Sequence, residues 1–135
     1  MNFKNIFSVC AFLILMFIQN PMSASDLVFS TNPKTIIIKN PQADNSAQFF
    51  SSAKMYFFEI YKPGNADEIK KLISLVKSQD GVEDFIQNSL YGDYLAFTLV
   101  LKANKDKAWF ISFFKKVGLP FIRINHNEEI PVEKM

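Results

Sequence analysis

From Lys54 to Asn125 the apolar residues recur with a period of two, then three to four, then two twice over, then three to four, then two. That succession constrains the fold more than any other property of the chain. Met55 to Tyr61 alternates Tyr56, Phe58 and Ile60 against Met55, Phe57, Glu59 and Tyr61, which predicts a strand with two partly apolar faces. After the turn Lys62-Pro63-Gly64, Asn65 or Asp67 can cap a helix carrying Ile69, Leu72, Ile73 and Val76 on one stripe, closed by Gly81. Val82 to Leu90 reads as a more polar strand. The turn Tyr91-Gly92-Asp93 joins it to Tyr94–Lys102, where Leu95, Phe97, Leu99 and Leu101 oppose Ala96, Thr98 and Val100. Asn104 is the expected cap of a second helix with Phe110, Phe113, Phe114 and Val117 on its stripe, Lys115 and Lys116 in its last turn and Gly118 beyond. Phe121 to Asn125 is the last strand.

The order strand, helix, strand, strand, helix, strand predicts an α+β fold of the ferredoxin-like β-α-β-β-α-β kind, with two helices on one face of a four-stranded antiparallel sheet. Met55 to about Asn125 also resembles a heavy-metal-associated domain, whose first loop normally reads G-M-T-C-x-x-C. Aligning Ile69-Lys70-Lys71-Leu72 with that family's first helix brings Gly81-Val82-Glu83 onto its proline-glycine-valine segment and Gly92 onto its hairpin glycine; Gly118-Leu119 matches the pair ending its second helix. The same alignment puts Asn65 and Glu68 where the family has its two cysteines. An amide and a carboxylate are poor ligands for soft Cu(I). The resemblance therefore implies the fold and not the metal, and no cofactor is expected. Asn65 is read as a helix cap and Glu68 as an acidic residue of the first helical turn, with a hard-cation role for Glu68 as the alternative.

Ahead of this domain, Ile6 to Ile18 is apolar except for Ser8 and follows Lys4. Thirteen residues fall short of the roughly 20 that span a hydrocarbon core, and Gln19-Asn20-Pro21 ends the run before Ser23, Ala24 and Ser25. Residues 1–24 read as a cleavable export signal, so the protein is expected in the periplasm or outside the cell, without stable membrane insertion. Residues 25–53, rich in Ser, Asn, Gln and Pro, read as a polar leader with one short strand at Thr35-Ile36-Ile37-Ile38. The packed domain is placed at 54–127 and a C-terminal tail at 128–135. Cys10, the only cysteine, leaves with the signal. Net charge is +2, and cleavage removes only Lys4 from that total, so nucleic acid is not an expected partner.

Catalytic motifs are missing. There is no G-x-S-x-G, and Gly64, Gly81, Gly92 and Gly118 are too far apart for a phosphate-cradling loop. The acidic pairs Asp67-Glu68, Glu83-Asp84 and Glu128-Glu129 are sequence neighbours, and in an extended strand such neighbours point to opposite faces. His126, the only histidine, lies in a polar stretch and reads as solvated, with weak metal binding as the alternative. The chain is accordingly expected to be non-enzymatic. The alternative is an accessory metal-handling protein using His126, Glu68 or the methionines.

Aromatic content points elsewhere. Four of the 15 Phe lie in the signal; those remaining, with 4 Tyr and Trp109, exceed what a small two-layer core needs. If Tyr56, Phe58, Ile60, Leu95, Phe97 and Leu99 face the helices, the other face carries Phe57, Tyr61, Tyr94 and Val100. Soluble monomers seldom leave such a patch bare. Either it binds a protein partner or a second copy, or Thr35–Lys39 or Phe49-Phe50 folds back over it. Trp109 flanks the stripe of the second helix and is the fourth candidate contact residue.

Overall fold

The structure, a computed structural model, describes residues 33–135. The expected export signal, residues 1–24, and the first residues of the expected leader lie outside them. Six strands form one mixed sheet: β1 (Thr35–Ile38), β2 (Met55–Tyr61), β3 (Val82–Tyr91), β4 (Tyr94–Leu101), β5 (Phe121–Ile124) and β6 (Ile130–Pro131), in the order β3-β4-β2-β1-β5-β6. Three helices, α1 (Ser46–Ser51), α2 (Ala66–Lys77) and α3 (Lys107–Lys116), contribute to a single core on one face of it.

The general α+β expectation holds, but the sheet is not the expected four-stranded antiparallel one. Thr35–Ile38 lies near its middle, antiparallel to β2 with Ile36 opposite Ile60, and parallel to β5 with Ile36 opposite Ile122. All four residues of β1 are buried. A run of β-branched residues without polar alternation suits a strand covered on both faces. Residues 35–53 are therefore part of the packed unit, and no boundary falls at residue 54. The connection from β1 to β2 is a 3₁₀ turn over Pro41–Asp44, capped by Asn40, followed by α1, which carries Phe49 and Phe50 into the core. There Phe50 lies 4.6 Å from Phe110 between ring centroids, and Tyr56 donates its hydroxyl to the carbonyls of Phe50 and Ala53, each at 2.9 Å.

Segment 128–135 is likewise no tail. Ile130 pairs with Ile122, Val132 is fully buried, and Glu133 meets Lys115 of α3 at 2.8 Å. Across β2 and β4 the alternation resolves as the sequence predicts, with Tyr56, Phe58, Ile60, Leu95, Phe97, Leu99 and Leu101 buried in the core. Strand β3 is the outer strand on that side and is irregular, its register shifting between Val82 and Asp84 and again between Gln87 and Leu90. The cap of α3 differs from expectation. Asp106 is the N-cap, accepting from the Trp109 amide at 2.8 Å, while Asn104 donates its amide to the Ser51 carbonyl at 3.2 Å.

Candidate functional site

The loop holding Asn65 and Glu68 is a helix start. The Asn65 side chain accepts from the backbone amides of Asp67 and Glu68, each at 3.0 Å, and the Glu68 carboxylate accepts from the Asn65 amide at 2.8 Å. This reciprocal pair is a capping box. It engages the Asn65 side-chain oxygen and one oxygen of the Glu68 carboxylate. The Glu68 charge also opposes the effect of burial on Lys34, whose ammonium is pushed below the usual lysine range by desolvation. Glu68 sits beyond the Tyr61 end of β2, which pairs with the start of β1, whereas His126 follows Ile124, which pairs with the end of β1. The two candidate ligands are thus at opposite ends of the sheet. Among the described residues no three His, Cys, Asp or Glu side chains gather in a way that would hold a metal ion.

The face of the sheet away from the helices has two zones. In the first, β3, β4 and β2 run side by side, and the register aligns Ile86, Thr98 and Phe57 in one row and Asp84, Val100 and Met55 in the next. Phe57 is 65% exposed, Met55 57% and Ile86 44%, among side chains that would each gain from burial. Thr98 between them is buried and accepts a hydrogen bond from the Asn88 amide at 2.8 Å. Two rows from Phe57, past Glu59 and Ala96, Tyr61 and Tyr94 face each other at 5.1 Å, with Lys62 over the first ring and Lys39 over the second. The segments considered as covers for this face are elsewhere: Thr35–Ile38 is in the sheet, and Phe49-Phe50 is in the core on the helix side.

The second zone lies over β1 and β5. A pocket of about 440 Å³ is lined by Ile37, Lys39, Tyr94, Arg123, Asn125 and His126. Lys39 reaches Glu59 at 2.8 Å and stands 5.6 Å from the Tyr94 centroid. Arg123 is the only arginine of the chain, and its Nε is buried with no hydrogen-bond partner among the described residues. Asn125 fixes the floor. Its backbone amide donates to the Ile38 carbonyl at 2.7 Å, its side-chain oxygen accepts from the Asn40 amide at 2.8 Å, and its side-chain nitrogen donates to the Asn40 carbonyl and the Asp44 carboxylate. A left-handed backbone at Asn125, φ 53°, turns the chain so that exposed His126 closes one side of the pocket.

Three of the four expected contact residues, Phe57, Tyr61 and Tyr94, therefore share the open face, but Trp109 does not. It lies half-buried on α3 in the helix layer, stacked on Phe113 at 4.8 Å and under the Lys105 ammonium. Ile86, Lys39 and Arg123 were not anticipated. The β-branched run of β1 was the only signal for the second zone, since a strand buried on both faces must bring its neighbours' side chains with it. Compared with family models, curated proteins and solved structures, the chain matches none significantly.

Proposed function

We propose that the protein is a non-enzymatic interaction module that pairs with a second copy of itself through the open face of its sheet. The row Phe57–Thr98–Ile86 carries this reading, because two exposed apolar side chains flank a small buried one at equal strand spacing. A two-fold axis along β4 would lay Phe57 of each copy on Ile86 of the other, a self-complementary contact of the kind a closed dimer needs. The strands of the two sheets would then run roughly aligned, as in sheet-on-sheet packing. In the next row Asp84 is held within its own chain by Lys77 of α2 at 2.7 Å, so the apolar contacts of the Phe57–Thr98–Ile86 row carry the pairing. Pairing along the β3 edge is disfavoured by its two register shifts, which spoil the regular ladder an added strand requires.

Residues 55–124 are read, in the same proposal, as a ferredoxin-like unit opened by β1. Leaving β1 out of the sheet order places β3-β4-β2-β5 in sequence, with each neighbour antiparallel to the next. Sedimentation velocity over a range of concentrations tests the functional reading. A reversible dimer is expected, and Phe57→Ser or Ile86→Ser should weaken it at least about tenfold, the equivalent of about 1.4 kcal/mol. Both variants should melt as the parent monomer does. A chain that stays monomeric at every concentration overturns the proposal.

A further inference from the structure

We infer that the pocket over β1 and β5 binds a small organic anion, a carboxylate carried on an aromatic or branched apolar group. The size is right for such a ligand. Its volume of about 440 Å³ falls within the roughly 300–1,000 Å³ of small-molecule sites. Its chemistry is set by Arg123. A guanidinium presents a planar fork matched to the two oxygens of a carboxylate, and Arg123 lines the pocket without an acidic partner among the described residues. A ligand carboxylate at the pocket would supply that missing counter-charge.

The charges around the pocket choose between kinds of anion. The Lys39 ammonium is held by the Glu59 carboxylate at 2.8 Å, so these two offset each other and Arg123 is left as the net positive charge on the strands. That balance favours a monoanion over a phosphate dianion. Ile37 and the Tyr94 ring supply apolar walls, which inorganic phosphate would leave unused and a hydrocarbon frame would cover. His126 adds a ring N–H donor at the rim. The site is also preorganised. Arg123 and Ile37 stand opposite each other on adjacent strands, and the Asn125 bonds to Asn40 and Asp44 lock the ends of those strands together. The pocket centres on β1 and β5, with only Tyr94 contributed by β4, whereas the pairing proposed above is carried by the Phe57–Thr98–Ile86 row.

Benzoate, its neutral isostere benzamide and inorganic phosphate are the probes, titrated into the isotopically labelled full-length protein and followed by NMR. Benzoate should bind saturably, shifting the Arg123 Nε–H and Tyr94 ring resonances; benzamide should not saturate, and phosphate should bind more weakly than benzoate. Arg123→Gln should reduce benzoate affinity at least about tenfold, as expected for losing a charged hydrogen-bonding pair. Should that variant fail to fold, Tyr94→Ala and the shift map of the parent protein decide, because the shifts must centre on Arg123, Tyr94 and His126. The inference is overturned by absence of saturation with benzoate, by benzamide binding equally well, by phosphate binding more tightly, or by shifts centred elsewhere.

Discussion

Asn65 shows how a single residue can define the start of a helix. Its position ahead of Ile69, Leu72 and Val76 marks a helix start from sequence, and the side chain accepts from both Asp67 and Glu68 amides in the folded chain. Asn65→Ala removes that acceptor from exposed amides that water can then reach. The expected cost is about 1 kcal/mol of unfolding free energy, read by urea denaturation with an unchanged m-value. A change of more than about 3 kcal/mol would mean that the loop has a further role in packing. The second helix start was less legible. Asn104 and Asp106 are both good caps, and the choice of Asp106 depends on the Asn104 amide bonding to Ser51, a residue 53 positions away that no local pattern announces.

At the scale of elements, the short strand β1 matters more than its length suggests. A four-residue run between Pro33 and Pro41, among many polar residues, has no local signature of centrality, so it reads as part of a leader. In the fold it separates β2 from β5. Removing residues 1–53 would strip Ile36, Ile37, Ile38, Phe49 and Phe50 from the interior. At about 1.5–3 kcal/mol for each side chain buried, the loss is of the order of 10 kcal/mol. A whole domain commonly has only about 5–15 kcal/mol. A chain beginning at Lys54 should therefore lack a cooperative thermal transition, whereas one beginning at Pro33 should keep it. A cooperative melt from the shorter chain would show that β2 and β5 can close directly on each other.

For the whole molecule, the described fold starts at residue 33, behind the apolar run Ile6–Ile18 and the small residues Ser23, Ala24 and Ser25. Cleavage at that point would leave every described element intact. Mass spectrometry of protein recovered from the exported fraction should place its N-terminus at Ser25 or Asp26. Recovery of an intact species starting at Met1 in the membrane fraction would contradict the export reading. The open face belongs to this scale too, because Phe57 and Ile86 stay uncovered by any described element. Burying Phe57 and Ile86 is what the proposed pairing of two copies would accomplish.

Sequence alone determined the elements whose chemistry is local: the periods of β2, α2, β4 and α3, the turn at Gly92, the Asn65 cap, and the sorting of Phe57 and Tyr94 from Phe58 and Phe97 across one sheet. Periodicity follows from the geometry of the backbone, so it survives in the order of residues. Tertiary structure decided what periodicity cannot encode. It placed β1 between β2 and β5, folded residues 128–135 onto the sheet, and gathered Lys39, Arg123 and His126 around Ile37. Strand order depends on pairings between residues far apart in the chain. An isoleucine run records that it must be buried, but not between which partners.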